Sequence, residues 1–375
     1  MINGNNFSKD LSRPRILVAP LDWGLGHATR CIPIINELIK QHCEVIIAAD
    51  GSPFFLLKKE FPTIVFLRIK GYKIHYSHNR KWLSFKLLLQ FPKIIFSIWR
   101  ENSWLEKIVN EYRIDAVISD NRFGVYNKRI PSVYITHQLH IKAGNVFSEK
   151  IAQKIHFHFI KKYSNCWVPD FKENGLAGEL SHQSNIPSNV LYMGPISRFE
   201  KINNVHKIYN LLISLSGPEP QRTIFENMIL IQLKTFKKKV LLVRGLPDEN
   251  KKLQAGMKSL EIVNHLSAEE LNLAFQQSEM IISRSGYSTI MDLVKLGKNA
   301  ILVPTPGQTE QEYLSNYLME KKYFYSVQQD YFSLETAIDK ASSFPYIIPG
   351  SSFNNYKKVI NEFVLSVKSG NFAPQ

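Results

Sequence analysis

RILVAP, residues 15–20, runs directly into LDWGLGHATR, residues 21–30. The first six residues form a short, apolar, β-branched run, the glycines mark a turn, and a helical pattern follows. Strand, glycine turn and helix in that order make the opening unit of a doubly wound sheet. The unit recurs at EVIIAAD (44–50), TIVFLRI (63–69), DAVISD (115–120) and SVYITH (132–137), mostly at helix-length intervals. After VLYMGPISR (190–198) a second series begins, with LLISLSG (211–217), KVLLVRG (239–245), MIISRSG (280–286) and NAILVPTPG (299–307).

Two such series predict an α/β chain of two Rossmann-like, doubly wound parallel-sheet domains facing across a cleft. The expected division is a disordered tail over residues 1–14, a first domain over 15–197, a linker over 198–208 and a second domain over 209–350. A last helical pattern within residues 351–375 is expected to pack back on the first domain. A chain of 375 residues agrees with two cores, and 44% hydrophobic with 12% aromatic residues marks an ordered protein. No repeat of 20 to 50 residues points to a solenoid or propeller.

The net charge of +15 favours a polyanionic partner: nucleic acid, an anionic membrane or a phosphorylated substrate. Cys31, Cys43 and Cys166 are too few and too far apart for a disulfide framework or a C-x-x-C metal site. MINGNNFSKDLSRPR lacks the apolar stretch of a signal peptide, and no run reaches a membrane span of roughly 18 to 20 residues. The expected location is the cytoplasm, with the cytoplasmic face of the membrane as a second possibility.

SRSGYSTIMDL (283–293) follows a strand and opens a helix, so Gly286 and the first-turn amides of Tyr287, Ser288 and Thr289 form a candidate diphosphate site. Helical spacing puts Ser285, Ser288 or Thr289, and Asp292 on one face, with Asp292 able to accept from ribose hydroxyls. An ordinary Ser/Thr cap with a solvated aspartate fits the same residues. VPTPGQTEQEYLSN (303–316) places Gln308, Thr309, Glu310 and Gln311 at a helix start beyond the next strand, where sugar hydroxyls could be read or a helix simply capped. In PLDWGLGHATR (20–30), Gly24 and Gly26 flank the turn and His27 stands where the helix begins, as a general base, an anion ligand or a cap. Asp120 in SDNRFG and His137 and Gln138 in THQLH end successive strands and should face the same crevice, unless they only form turns.

These residues together resemble the GT-B glycosyltransferases of the MurG-like group, whose C-terminal half is glycosyltransferase family 28. RSGYSTIMD and VPTPGQTEQEY look like that group's nucleotide-sugar motifs at the family's spacing. The resemblance implies diphosphate binding by Gly286 to Thr289, ribose binding by Asp292, a base contact near Leu266, and donor-sugar contacts at Gln311 and Glu312. It also places Gly26, Ser216, Gly217 and Gln308 at the donor. GLGHATR is similar as well to the GT-B nucleotide-sugar hydrolases of pseudaminic acid synthesis, and the shared histidine, their proposed catalytic group, maps to His27. The first loop is poorer in glycine than in MurG, and the glycine-rich loop of the second domain survives only as SLSGPEPQR (214–222).

No D-x-D occurs in the chain, so neither metal nor cofactor is expected, and helix amides with Arg244 or Arg284 are left to stabilise the leaving nucleotide. The resulting expectation is an inverting, metal-independent transferase with a UDP-sugar donor and a lipid-linked or glycan acceptor, His27 being the base and Asp120 or His137 the other catalytic candidates. A hydrolase or epimerase of the same fold is the competing enzyme, and a basic nucleic-acid-binding protein the competing non-enzyme; nucleic acid is not the expected partner. Residues 70–100 interleave Lys70, Lys93 and Arg100 with Trp82, Phe85, Phe96 and Trp99. They read either as an element lying on anionic lipid or as a buried helix pair.

Overall fold

The computed structural model describes residues 13–71, 83–141, 146–251, 253–254, 256–350 and 352–370; for 83–92 and 146–148 it describes the backbone alone. The expected tail up to residue 12, and residues 72–82 of the basic-aromatic stretch, lie outside the described residues.

The first sheet has seven parallel strands: β1 (Arg15–Pro20), β2 (Glu44–Ala49), β3 (Val65–Arg68), β4 (Ala116–Asp120), β5 (Ser132–Ile135), β6 (Asn165–Val168) and β7 (Val190–Tyr192), in the order β3-β2-β1-β4-β5-β6-β7. The second has six: β8 (Tyr209–Ser214), β9 (Val240–Val243), β10 (Leu260–Val263), β11 (Ser278–Ser283), β12 (Ala300–Leu302) and β13 (Tyr325–Ser326), ordered β10-β9-β8-β11-β12-β13. The sequence patterns anticipated β1 to β5, β8, β9, β11 and β12 and missed the edge strands β10 and β13, as well as β6, an internal strand of four residues, NCWV, that opens on a polar Asn165. Every residue of β4 and β5 is buried, whereas β10 is buried at one residue of four and β13 has only two residues. A continuous apolar run is the mark of a strand covered on both faces, and edge strands lack it.

Helices α1 (Leu25–Lys40), α2 (Gly51–Glu60), α3 (Leu83–Glu111) and α4 (Val146–Ile160) cover the first sheet. Helices α5 (Gln221–Leu233), α6 (Ala268–Gln277), α7 (Tyr287–Leu296), α8 (Thr309–Glu320) and α9 (Leu334–Ser342) belong to the second. The last helix, α10 (Asn355–Ser369), returns to the first sheet. Its buried residues Tyr356, Val359, Ile360, Phe363, Val364 and Val367 follow helical spacing and join the core of Ile32, Ile35 and Leu38. Each large side chain so covered contributes roughly 1.5 to 3 kcal/mol. Phe363 meets Trp167 of β6 edge to face at 5.3 Å, which fixes where α10 lies.

Strand order reverses between β1 and β4 in one sheet and between β8 and β11 in the other. The carboxyl ends at such switch points form the crevice where doubly wound folds bind ligands. Direct bonds join the two halves there: Ser288 Oγ donates to Gly26 O at 2.8 Å, and Tyr287 OH to Pro169 O at 2.9 Å.

One buried group near the first core responds to pH. His156 of α4 is 3% exposed, packs against Phe123 and Tyr134, and neither ring nitrogen has a hydrogen-bond partner among the described residues. Burial pushes its pKa from 6.5 down to about 4. A folded-state pKa below the unfolded one means that the unfolded chain takes up the proton first. The associated stability is therefore fully present above about pH 6.5 and is lost as the pH falls to about 4, amounting to about 3 kcal/mol. His156→Phe should flatten this acid limb, leaving the smaller slope due to the half-buried His265, and chemical denaturation at pH 4.5 and 7 measures it.

Candidate active site

The loop after β1 turns at Gly24, whose φ of +83° lies in the left-handed region that favours glycine, and so delivers His27 to the first turn of α1. Arg30 lies one turn later on the same face. Asp120 is the last residue of β4 and the register partner of Pro20 on β1, which sets its carboxylate beneath the helix start. His27 Nδ1 stands 2.8 Å from Asp120 Oδ1, Arg30 Nε donates to Oδ2 at 2.8 Å, and Arg30 Nη2 donates to Oδ1.

Asp120 is fully buried. Burial alone raises its pKa, but the charge of Arg30 and the hydrogen bonds from His27 and Arg30 more than reverse this and hold the carboxyl well below the usual carboxylate range. Arg30 Nη2 also approaches His27 Nδ1, at 3.1 Å. That nitrogen cannot accept from a guanidinium and donate to a carboxylate at once, and the shorter contact to an ionised oxygen decides the tautomer. With the proton on Nδ1 held by Asp120, Nε2 carries the lone pair, and the side chain keeps 16% exposure.

The network continues into the other half. His137, two residues beyond β5, lies 3.2 Å from Arg30 Nη1 through Nδ1 and 2.7 Å from Glu310 Oε1 through Nε2. Only the tautomer protonated on Nε2 satisfies both contacts, accepting from Arg30 and donating to Glu310. Gln138 donates to the second Glu310 oxygen, and the His137 ring stacks on Tyr287 at 4.3 Å. Burial raises the Glu310 pKa, and His137 more than offsets it, so that this carboxyl also lies below its ordinary value. Asp120, Arg30, His137 and Glu310 thus form one hydrogen-bonded chain across the crevice. Arg30 escaped the sequence reading, as did the pairing of Glu310.

On the second sheet, Gly286 stands just ahead of α7 and no side chain caps the helix, which leaves the amides of Tyr287, Ser288 and Thr289 at an uncapped positive end. Ser285 is buried, its Oγ donating to Gln311 O at 2.8 Å. Ser216 and Gly217 follow β8, and Gly217 has a φ of +105°. A Cβ there would sit 3.5 Å from Thr305 Oγ1. The hydroxyls of Thr305 and of Ser283, at the end of β11, are buried and lack hydrogen-bond partners among the described residues. Orphan hydroxyls beside an uncapped helix start suit the oxygens of a bound ligand. Thr305 carried no signal in sequence beyond its place after a strand.

Other expected ligands are engaged within the protein. Arg284, expected near the leaving nucleotide, is 1% exposed and donates to Val303 O, Pro304 O, Gln221 O and Gln329 Oε1. It lies over the Phe225 ring at 4.3 Å, and burial lowers its pKa to about 9. These donors satisfy carbonyls just beyond β12 and at the start of α5, so Arg284 is engaged within the second domain. Arg244 pairs with Glu226 and donates to Asn264 Oδ1 at 2.9 Å. Asp292 is 4% exposed, accepts from Ser197 Oγ at 2.6 Å and faces Arg198 at 3.4 Å, so its carboxylate ties α7 to the segment between the sheets. Gln311 Oε1 accepts from Thr305 N at 2.9 Å, its amide donates to Gln308, and Glu312 Oε1 accepts from Gly307 N at 3.0 Å, which together shape the loop after β12. Leu266 is half-buried just ahead of the capping box that Ser267 and Glu270 form on α6.

Comparison with known proteins agrees with this architecture. Residues 220–346 match the glycosyltransferase family 28 C-terminal domain, and residues 15–157 match glycosyl transferase family 1. The chain is 24% identical over 329 residues to the UDP-N-acetylglucosamine--N-acetylmuramyl-(pentapeptide) pyrophosphoryl-undecaprenol N-acetylglucosamine transferase of Glaesserella parasuis, covering 84% of this chain and 85% of that one. Its fold is similar to that of the glycotransferase of kitacinnamycin, with a TM-score of 0.60 at 13% identity over 95% of both chains. It is similar also to Acinetobacter baumannii MurG, with a TM-score of 0.50 at 12% identity over 97% of this chain and 96% of that one. A glycosyltransferase module thus matches on each sheet, and the chain is a glycosyltransferase of the GT-B fold, similar to the MurG-like group.

Proposed function

We propose that this protein is an inverting, metal-independent transferase that moves a sugar, N-acetylglucosamine or a related hexose, from a UDP-sugar to a lipid-linked or glycan acceptor. The observation that carries the mechanism is the His27–Asp120 pair at 2.8 Å, which leaves Nε2 as the free proton acceptor. The first domain binds the acceptor and His27 Nε2 takes the proton from its hydroxyl. The hydroxyl oxygen then forms the new bond to the anomeric carbon as the bond to UDP breaks on the opposite face, which inverts the centre. Asp120 orients the imidazole and stabilises the imidazolium, as the carboxylate does in a serine-protease triad. The leaving diphosphate receives the amides of Tyr287 to Thr289 at the start of α7, a preorganised set of donors that needs no carboxylate-bound metal. The UDP-linked donor and the lipid-linked acceptor are named in the Glaesserella parasuis relative and agree with the basic balance of this chain.

His27→Ala should lower kcat by roughly 10² to 10⁴ and leave donor affinity nearly unchanged. A loss seen mainly in donor KM would make His27 a binding residue. The same assay distinguishes the hydrolase, because release of nucleoside diphosphate should be slow until acceptor is added.

The membrane partner has support in α3. Ile95, Phe96 and Trp99 are 41%, 58% and 65% exposed, while Ile98 and Leu105 on the opposite face are buried. No helix among the described residues is long and apolar enough to cross a membrane, so contact with lipid is interfacial in this reading. The protein should co-sediment with anionic vesicles in a salt-sensitive manner, each basic residue near the surface contributing about 1 kcal/mol. Ile95→Ser with Trp99→Ser should reduce sedimentation. Failure of the unsubstituted protein to bind anionic vesicles at low salt would remove the membrane from the function.

A further inference from the structure

The amino edge of the second sheet, opposite the crevice, holds a pair of lysines that the transfer reaction does not use. Lys207 stands just ahead of β8 and Lys298 just ahead of β12, and β11 lies between those two strands. Both side chains therefore converge on the start of β11. Lys207 Nζ donates to Gln276 O at 2.7 Å and to Ser278 O at 3.2 Å, and Lys298 Nζ donates to the same two oxygens at 3.2 Å and 2.7 Å. Gln276 O is among the last carbonyls of α6, where a cation satisfies an orphan acceptor and favours the helix dipole. One ammonium would fill that role. Two on the same pair of oxygens set like charges side by side.

Neither amine pairs with a carboxylate among the described residues. Glu200, whose carbonyl accepts from Gln276, is paired with Lys295 at 2.7 Å, and Glu279 accepts from Asn210 at 3.0 Å. The stem of Lys298 is fixed by the end of α7, where Gly297 is left-handed and Lys298 N donates to Leu293 O at 3.0 Å. Lys298 is half-buried, whereas Lys207 is exposed. Burial, and then the neighbouring Lys207 ammonium, push the Lys298 amine from 10.5 down to about 7. At pH 7 such an amine is about half unprotonated, against on the order of 1 in 10³ for an ordinary lysine. A partly desolvated lysine beside a second cation is an activated nucleophile.

We propose that Lys298 is a covalent modification site that takes an acyl group from a small acyl phosphate, with Lys207 holding the phosphate. The Lys298 Nζ lone pair attacks the acyl carbon and forms the C–N bond. The C–O bond to phosphate breaks, phosphate leaves with the electron pair beside the Lys207 ammonium, and the Nζ proton passes to solvent. The amide formed is neutral and keeps one N–H for Ser278 O, so acylation removes the like-charge pair without orphaning a carbonyl. Carbon dioxide would instead leave an anionic carbamate against two carbonyl oxygens, which the same geometry disfavours. This site is independent of the donor and acceptor reading above.

Timed acetylation of the full chain with acetyl phosphate at pH 7, followed by peptide mass spectrometry, measures each lysine separately. Lys298 should react roughly tenfold faster than the exposed Lys237 and Lys340. Lys207→Met should slow Lys298 by about tenfold toward acetyl phosphate but only about threefold toward the uncharged acetic anhydride. Unchanged rates at Lys237 and Lys340 in the variant report that the fold is intact. Lys207→Arg, which keeps the cation, should retain the fast reaction with acetyl phosphate, and its loss there overturns the role of the second charge. A Lys298 rate no greater than that of the two exposed lysines overturns the site. Equal slowing of both reagents by Lys207→Met overturns the acyl phosphate as its donor.

Discussion

The ion pair between Asp120 and Arg30 is the constraint on which the rest of the crevice depends. A carboxylate with no exposure is tolerated only when its oxygens are paired, and removing one partner of such a pair costs about 3 to 5 kcal/mol. Arg30 supplies two donors and His27 a third, so the condition that stabilises the interior also fixes the imidazole's tautomer. The same guanidinium reaches His137, and through it Glu310 on the other half. Folding of the first sheet and alignment of the second are thereby coupled through one side chain.

A second coupling runs through α7. Its N-terminal amides face the crevice, while Asp292, nearly two turns on, binds Ser197 and Arg198 in the segment between the sheets. One helix thus carries both the crevice-side amides and the carboxylate that joins the two halves. Burial raises the Asp292 pKa, and the nearby Arg198 only partly compensates.

The net charge of +15 is distributed in keeping with this arrangement. Some cations, such as Arg30, Arg122, Arg222 and Arg284, are buried and hold carboxylates or carbonyls in place. Others, including Lys70, Lys93 and Arg100, gather at the carboxyl edge of the first sheet. Buried pairs cancel in the total, so the net charge reflects the cations that lie outside such pairs.

Local chemistry was enough to make the fold legible. A β-branched run buried on both faces, a glycine with positive φ and an amphipathic helix are each decided within some 20 residues, and their alternation specifies a doubly wound sheet. Hence β1, β4, β8 and β11 were readable, and so were His27 and Gly286, which lie where a turn enters a helix. The edge strands β10 and β13 were not, since little burial shapes their composition. What the tertiary structure alone decided is the pairing of charge. Arg284 stands inside the most recognisable motif, yet packing against Phe225 and the carbonyls around it turned the side chain into the core. Arg30 lies 90 residues from Asp120, and Glu310 lies 173 from His137. Which acid meets which base over such distances depends on strand order and on how the two sheets face each other, and no local periodicity encodes either.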